Sequence, residues 1–231
     1  MGESDEQFLA IGDAIADQLE EWAGLKDRGR VLDVGCGYGR LAHALQRRSF
    51  HGRYLGLDIL PRHIRWCQRN LSGWRWRFRH MDVRNSRYNP EGRLAAETLA
   101  LDRYCSSADL IVASSLFTHL EAASVRHYLS KFVSVLASDG AIYASFFALN
   151  TRHEGAGAGE KVGVMSFAHE LGGGGRFEYV KEPLRAVAYE ETWLEERFES
   201  LGLEVRNRSY GNWCPGATGD HYQDIYVLGV R

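Results

Sequence analysis

The chain has 231 residues, enough for one α/β domain with a substantial core. Its formal net charge of -2 argues against a general affinity for nucleic acids or anionic membranes, but leaves room for a local basic patch. The four cysteines are far apart and make no CxxC pair, which excludes a zinc knuckle and favours a reducing compartment. The acidic first residues and the lack of a run of about 18 apolar residues predict a cytoplasmic protein without signal peptide or membrane span.

The first half of the chain alternates between strand and helix patterns. Apolar residues at helical spacing predict an amphipathic helix within residues 5–25, inside an N-terminal segment 1–28 that packs on the sheet or covers a ligand. Trp74 to Arg79 alternates aromatic and basic residues, which is the period of a half-buried strand. Short apolar runs predict buried strands at 30–34, 53–58 and 109–113, followed by helices at 41–48, 61–71 and 121–136.

The second half contains a long interruption. A turn at Ser138-Asp-Gly140 precedes a fifth strand at 141–149, and residues 150–188 then show no clear periodicity. We interpret this glycine-rich segment, with Gly155, Gly157 and Gly159, as an insertion that forms either a lid or a disordered loop. A helix at 189–201 and a closing hairpin at 203–230 complete the prediction. The expected fold is one α/β domain, a doubly wound, seven-stranded and mostly parallel sheet with an N-terminal helix and an insertion after the fifth strand.

The most informative motif is Val31-Leu-Asp-Val-Gly-Cys-Gly-Tyr-Gly39, a buried strand that runs into a glycine-rich turn before a helix. Glycines let the backbone turn sharply and approach a ligand, and the first turn of the helix offers unpaired N–H groups. The nicotinamide fingerprint G-x-G-x-x-G requires a third glycine where this chain has Arg40. The pattern is instead D-x-G-x-G-x-G.

This pattern resembles the first motif of class I S-adenosylmethionine-dependent methyltransferases, in particular a bacterial branch that acts on small molecules and glycans. Three later segments resemble the family motifs in the same order: Asp58 at the end of the second strand, Asp82-Val83 after the third, and 109–120 at the fourth. The segment 135–141 resembles the turn before the fifth strand. The resemblance implies a Rossmann-like methyltransferase fold, and S-adenosyl-L-methionine as the cofactor.

The resemblance also implies a role for individual residues. Asp33 would hold the glycine loop and the amino group of the cofactor, and Asp58 would accept both ribose hydroxyls in charge-assisted hydrogen bonds. Asp82 and Val83 would bracket the adenine, with Ser114 near the methionine portion. The predicted cofactor contacts are Asp33, Gly35, Cys36, Gly37, Gly39, Asp58, Ile59, Asp82, Val83, Ser114, Ser115 and Leu116.

The acceptor side carries fewer signals, because methyl transfer from a sulfonium depends chiefly on positioning. His119 follows the fourth strand at the carboxyl edge of the sheet, where it is either a general base or a group that orients the wall of the cofactor site. Candidate acceptor contacts are His169 and Tyr179 in the insertion, and Trp213 and His221 in the loop 211–221. The alternative for that loop is a packed hairpin tip.

Residues 62–93 contain nine Arg and only two acids, and Trp74 and Trp76 lie among the arginines. This pattern is found on protein surfaces that bind nucleic acids. We favour a different interpretation, an edge strand whose charges discourage pairing with other sheets and whose tryptophans face helices, so nucleic acid is not an expected partner. The nine histidines show no metal-binding spacing. No metal is therefore expected, although a magnesium site made of carboxylates stays open.

The expected activity is O-methylation of a small or medium-sized acceptor such as a glycan, a lipid or a secondary metabolite. The fourth strand is followed by Ser114-Ser-Leu-Phe117, and not by the Asn/Asp-Pro-Pro-Tyr/Phe motif of many amino-group methyltransferases. Two alternatives remain at this point: an NAD(P)-dependent oxidoreductase on a related sheet, and a non-catalytic adenosyl-binding regulatory subunit. The oligomeric state and the identity of the acceptor stay open.

Overall fold

The computed structural model describes residues 4–154, 165–214 and 219–231. Its helices are α1 (Asp5–Glu21), α2 (Arg40–Arg47), α3 (Pro61–Asn70), α4 (Ala122–Val135), α5 (Thr151–Glu154) and α6 (Glu191–Ser200). Its strands are β1 (Arg30–Val34), β2 (Arg53–Asp58), β3 (Trp76–His80), β4 (Ala108–Ala113), β5 (Leu136–Phe146), β6 (Ala148–Leu149), β7 (His169–Gly172), β8 (Gly175–Phe177), β9 (Val187–Glu190), β10 (Leu203–Ser209) and β11 (Asp224–Val230). Within the described ranges, no helix is long and apolar enough to cross a membrane.

The main sheet has seven strands in the order β3-β2-β1-β4-β5-β11-β10. The first five of these are parallel, and β11 runs antiparallel to both of its neighbours. Along β4, Leu110 and Val112 face one layer of helices while Ile111 and Ala113 face the other, because side chains alternate along a strand. The predicted doubly wound, seven-stranded sheet is confirmed, with β3 at its edge.

The predicted turn at 138–140 lies inside β5. Ala108 pairs with Leu136 and Leu110 with Ala141, so residues 137–140 bulge out of the ladder. A Cβ on Gly140 would lie 3.1 Å from the carbonyl oxygen of Asp109, so a side chain at this position would crowd β4. The strand therefore begins directly after α4.

Helix α1 crosses the start of α2 at close range. A capping box starts α1: the Ser4 hydroxyl accepts the Gln7 N–H (3.2 Å), and the Gln7 side chain accepts the Ser4 N–H (3.1 Å). A Cβ on Gly12 would lie 2.8 Å from the carbonyl oxygen of Arg40, so glycine permits this crossing. The guanidinium of Arg40 lies over the Phe8 ring at 5.4 Å, which brings α1 to the end of the glycine-rich loop.

The segment after β5 forms a small second sheet with the order β6-β9-β8-β7. Strands β7 and β8 are joined across Gly173 and Gly174, both with positive φ, and β9 pairs with β6 and β8. No regular structure was predicted here, because strands of two to four residues leave no periodic signal in the sequence. The predicted insertion residues Gly155, Gly157 and Gly159 lie outside the described residues.

A buried carboxylate joins this second sheet to the last hairpin. Asp224, fully buried at the start of β11, accepts the backbone N–H groups of Ala148 (2.8 Å) and Gly211 (2.9 Å) and the indole N–H of Trp213 (2.7 Å). The Arg152 guanidinium lies 3.5 Å away. Burial raises the pKa of Asp224, and these donors oppose the rise. The positions of β6, of α5 and of the loop that holds Gly211 and Trp213 thus depend on this one carboxylate.

Replacing Asp224 with Ala is expected to lower the free energy of unfolding by about 3 kcal/mol or more, because two backbone N–H groups and an indole N–H lose their buried acceptor. Urea unfolding followed by far-UV circular dichroism measures the change. Asp220→Ala, which removes an exposed carboxylate nearby, is the matched control and should change stability by less than about 0.5 kcal/mol. Equal losses in the two variants would show that Asp224 does not join these segments.

Candidate active site

A cavity of about 700 Å³ opens at the carboxyl ends of β1, β2 and β4. The carboxyl edge of a parallel sheet is where open α/β folds bind ligands. Phe8 and Ile15 of α1 cover one side of the cavity, and Leu184 reaches it from the segment between β8 and β9. The predicted site residues that line it are Asp33, Gly35, Cys36, Gly37, Asp58, Ile59, Val83, Ser114, Ser115, Leu116 and His119.

The glycine-rich loop has a backbone conformation that side chains disfavour. Gly35, Gly37 and Gly39 have φ values of 86°, 55° and 75°. Nothing lies within 4 Å of a Cβ placed on Gly37, so its backbone is open to the cavity. Gly39 does not line the cavity, and a Cβ there would lie 2.5 Å from Cδ1 of Leu71. Gly39 therefore allows α2 to pack closely on α3, and it does not itself form part of the cavity wall.

The carboxylate of Asp58 holds this loop in place. One oxygen accepts the N–H of Gly37 (2.8 Å), and the other accepts the N–H of Leu60 (2.7 Å). The N–H groups of Gly35 and Cys36 both donate to the carbonyl of Leu57, the residue before Asp58. Each carboxylate oxygen keeps a second lone pair, so Asp58 can also accept the hydroxyls of a ribose in the cavity.

Asp33 is a second acid of the cavity, and it is buried. Burial raises the pKa of Asp33 to about 7, the Asp58 carboxylate adds to the rise, and the hydrogen bond from the Tyr54 hydroxyl and the nearby Arg40 oppose it. A carboxyl group that titrates near neutrality is sensitive to a bound cation. A cation bound beside it would favour its ionised form.

Asp82 differs from the prediction in its position. Its neighbours Met81 and Val83 line the cavity, but Asp82 does not, because alternate side chains of this extended segment point in opposite directions. The Asp82 carboxylate pairs with the guanidinium of Arg93, and the hydrogen bond from Arg93 lowers its pKa. The structure thus brings Val83 to the cavity, while the predicted contact between Asp82 and adenine stays a prediction.

Ser115 lies in a strained turn after β4, with φ of 55°. Its N–H donates to the Ser145 hydroxyl (2.7 Å), and its own hydroxyl donates to Oε1 of Gln223 (2.9 Å). The Ser145 hydroxyl donates to the same oxygen (2.7 Å). Neighbouring strands β5 and β11 therefore hold the turn that brings Ser114, Ser115 and Leu116 to the cavity.

His119 ends a short 3-10 helix, Phe117–His119, and faces the cavity. Its Nδ1 lies 3.1 Å from the carbonyl oxygen of Leu184, which can only accept, so Nδ1 carries the proton. Nε2 is then the unprotonated nitrogen, 3.5 Å from the Tyr88 hydroxyl. Burial lowers the pKa of His119 below its usual value, which favours this neutral form at physiological pH.

Asn85 fixes Tyr88 beside this imidazole. The Asn85 side-chain oxygen accepts the backbone N–H of Tyr88 (3.0 Å), and its amide nitrogen donates to the carbonyl of His119 (3.2 Å). The Tyr88 and His119 rings meet edge to face with centroids 5.3 Å apart. The loop after β3 and the exit of β4 therefore form one wall of the cavity.

The four predicted acceptor contacts do not line the cavity. His169 is exposed on β7 and stacks on Phe177 at 5.1 Å. The Tyr179 ring packs under the guanidinium of Arg185, 4.3 Å from the ring centre. Both side chains belong to the second sheet and its connection to β9, which meets the cavity through Leu184 and not through these rings.

Trp213 and His221 both lie in the loop 211–221 that precedes β11. Trp213 is fully buried and donates to Asp224, which is the packed hairpin tip given above as the alternative. The His221 imidazole lies against Trp22 and 3.2 Å from the carbonyl oxygen of Ser209. Residues 215–218 of this loop lie outside the described residues.

The structure also brings residues to the cavity that the sequence analysis missed: Phe8, Ile15, Tyr38, Arg40, Leu60, His63, Met81, Arg84, Asn85, Ser86, Tyr88, Glu97 and Leu184. Tyr38 lies in the glycine motif and Arg40 directly follows it, so the motif itself could have identified both as residues of the cavity. Tyr88 and Leu184 come from irregular segments with no periodic pattern. Among the described residues, no group of three or more His, Cys, Asp or Glu side chains has the arrangement of a metal site.

These residues fit S-adenosylmethionine, the cofactor that the sequence resemblance implies. Asp58 has free lone pairs for ribose hydroxyls, and Asp33 offers a carboxylate to a positively charged group. The apolar side chains of Ile59, Val83 and Leu116 offer flat contact to a base ring.

Comparisons with known proteins agree with this fold. Residues 31–140, just under half of the chain, match the family described as a methyltransferase domain. A SAM-dependent methyltransferase from Leishmania major has a similar structure (TM-score 0.62, 16% identity, covering 97% of this chain and 73% of that one). So has one from Methanosarcina mazei (TM-score 0.60, 16% identity, 92% and 97%). The magnesium protoporphyrin IX methyltransferase of Synechocystis, which holds bound SAM, matches with a TM-score of 0.58 (15% identity, 100% and 86%).

Replacing Asp58 with Ala is expected to weaken the binding of S-adenosylhomocysteine about 100-fold, because two charge-assisted hydrogen bonds are lost and the glycine loop is released. Calorimetric titration measures the affinity, with NAD and NADP as control ligands. Asp102→Ala is the matched control, since this exposed carboxylate lies outside the cavity, and it should change the affinity by less than about threefold. The reverse order of the two effects would contradict the position given to Asp58.

The affinity for S-adenosylhomocysteine is expected to be about tenfold lower at pH 6 than at pH 8, because the positively charged amino group of the ligand binds the Asp33 carboxylate and the acid form must first lose its proton. The raised pKa of about 7 places the change in this window. Asp33→Asn removes the titration and should give an affinity independent of pH. A wild-type affinity that is equal at both pH values would show that Asp33 does not contact the charged part of the ligand.

Proposed function

We infer that this chain is an S-adenosylmethionine-dependent methyltransferase and that it methylates an oxygen atom of a small or medium-sized acceptor; its residues 31–140 match the methyltransferase domain. The observation that carries the proposal is the half-buried imidazole of His119, which lines the same cavity as the glycine loop and whose Nδ1 bonds to the Leu184 carbonyl, leaving Nε2 to accept a proton. A hydroxyl group loses its proton when it is methylated, and it therefore needs a base at this place.

When bound, the cofactor supplies a methyl group on a sulfonium, which an acceptor atom displaces in line. The protein's part is to place the acceptor and to remove its proton. Nε2 of His119 takes the proton, and the hydrogen bond from Nδ1 to the Leu184 carbonyl keeps the ring oriented before and after the transfer. The Tyr88 hydroxyl lies 3.5 Å from Nε2, and we propose that it donates a hydrogen bond to the acceptor oxygen once an acceptor occupies the cavity.

The walls of the cavity support an acceptor of mixed polarity, such as a glycan, a lipid or a secondary metabolite. Phe8, Ile15 and Leu184 offer apolar surface, while Arg84 and Tyr88 offer hydrogen-bond donors. The segment 114–117 supports an oxygen acceptor, because it lacks the Asn/Asp-Pro-Pro-Tyr/Phe motif of many amino-group methyltransferases.

We also propose that residues 1–231 act as one methyltransferase domain, with 150–188 as a lid on the acceptor side. The support for the lid is local: Leu184 lines the cavity, and the Glu182 carboxylate pairs with the guanidinium of Arg87 beside Tyr88. A cytoplasmic location is consistent with the four cysteines, which are free thiols.

The proposal is tested by incubating the purified chain with radiolabelled S-adenosylmethionine and a panel of matched hydroxyl and amine acceptors. Transfer to hydroxyl acceptors is expected, and transfer by the isolated chain would also exclude a purely regulatory role. Preference for the amine of each matched pair would contradict the choice of oxygen.

Replacing His119 with Ala is expected to lower kcat for the hydroxyl acceptor by about 10²–10⁴, without changing the affinity for S-adenosylhomocysteine. Because burial lowers the pKa of His119, the base stays unprotonated as the pH falls to 6.5, and the wild-type rate should decline only below that value. His51→Ala, which removes an exposed imidazole outside the cavity, is the control and should leave kcat unchanged. An unchanged kcat in His119→Ala at saturating cofactor would end the assignment of His119 as the base.

A further inference from the structure

The outer face of α3 carries positive charge without acidic neighbours in the sequence. From Ile59 to Met81 the chain contains six Arg and no Asp or Glu. Arg62, Arg65 and Arg69 recur at the spacing of one helical face, and all three are exposed. In the part of the chain that the structure describes, none of the three has an ion pair, whereas Arg87 and Arg93 each pair with an acid.

Exposed aromatic rings lie among these arginines. Trp66 is on the same face of α3 and is 40% exposed. Near the start of the helix, Tyr38 is 42% exposed and meets Trp66 edge to face at 5.9 Å. Beyond its end, Trp74 is 74% exposed, and the Arg75 guanidinium lies 4.2 Å from its ring centre. We call this set the α3 surface: Tyr38, Arg62, Arg65, Trp66, Arg69, Trp74 and Arg75.

The position of Trp74 corrects the prediction made for this region. The alternation over 74–79 placed both tryptophans in the edge strand, facing helices. Trp76 does so, packing on Tyr54 at 5.4 Å, but β3 begins only at Trp76 and leaves Trp74 in the preceding turn. The protection of a sheet edge therefore explains the arginines of β3, and it does not explain the α3 surface.

The net charge of the chain conceals a strong separation of charge. Residues 62–93 carry nine Arg and two acids, whereas the rest of the chain has nine more acids than bases. The unpaired exposed arginines of this segment are therefore attracted to a negatively charged surface, although the net charge of the chain is negative. The α3 surface also adjoins the active site, because Tyr38 lines the cavity and its ring lies 4.1 Å from that of His63, which lines it too.

We propose that the α3 surface docks this protein on an anionic lipid membrane. Arginine binds lipid phosphates, and the amphipathic rings of Trp and Tyr are typical of the interface between headgroups and acyl chains. Single-stranded nucleic acid is the competing polyanion, but its binding sites combine arginines and aromatic rings in a groove. Here they lie on the outer side of a helix and in the turn that follows it. Docking goes beyond the proposed reaction and does not depend on the acceptor atom.

The test is flotation of the purified full chain with vesicles of phosphatidylglycerol and phosphatidylcholine in equal amounts. The triple variant Arg62→Gln/Arg65→Gln/Arg69→Gln is expected to lose on the order of 100-fold in partitioning, from about fivefold for each charge near the surface. The matched control Arg28→Gln/Arg103→Gln/Arg126→Gln removes three exposed arginines elsewhere, for the same change in net charge, and should lose less than about threefold.

Two further readouts separate docking from folding and from catalysis. Both triple variants should bind S-adenosylhomocysteine with wild-type affinity, because none of the six arginines lines the cavity. Trp66→Ala/Trp74→Ala should weaken partitioning while keeping the charge. Three results would overturn the proposal: no binding of the wild type to anionic vesicles, equal losses in the two triple variants, or tighter binding of a twelve-nucleotide single-stranded RNA that the α3 variant alone loses. Failure of methyl transfer would leave these results unaffected.

Discussion

The carboxylate of Asp58 binds backbone groups from two directions, and the active site depends on this arrangement. It accepts the N–H of Gly37 in the glycine-rich loop and the N–H of Leu60 at the start of α3. Since β1 pairs in register with β2, the strand that ends in Asp58 also determines where the loop begins. The same bonds that shape the cofactor site therefore fix the direction of α3, and with it the exposed face that carries the arginines.

Local patterns were sufficient to predict the main sheet and its cofactor loop. Buried strands such as β1, β2 and β4 are short apolar runs, and glycines with positive φ mark the turn between β1 and α2. The doubly wound arrangement of the sheet followed from the resemblance and from the rule that crossovers are right-handed. The signals for Asp33 and Asp58 were strong because Asp33 is the next-to-last residue of β1 and Asp58 the last residue of β2, and apolar neighbours identify both strands.

The parts that sequence did not predict depend on partners far away in the chain. Trp213 carried an aromatic signal typical of a binding site, but its indole is taken by Asp224. Tyr88 gave no signal, because its position is fixed by a single side chain, Asn85, that bonds to the exit of β4. Periodicity reports burial along one element, and it contains no information about such pairs.

The cavity is lined by residues that lie far apart in the chain. Phe8 belongs to α1, and Leu184 lies in the segment between β8 and β9. Bringing such distant residues together costs conformational entropy, which is offset only when the fold is complete. A nascent chain that has left the ribosome only as far as β5 therefore contains all the motifs named above, but it does not yet contain the complete site. His119 gains the carbonyl that fixes its tautomer only when Leu184 arrives. A bound ligand consequently stabilises the whole chain against unfolding, rather than the segment that carries the motifs.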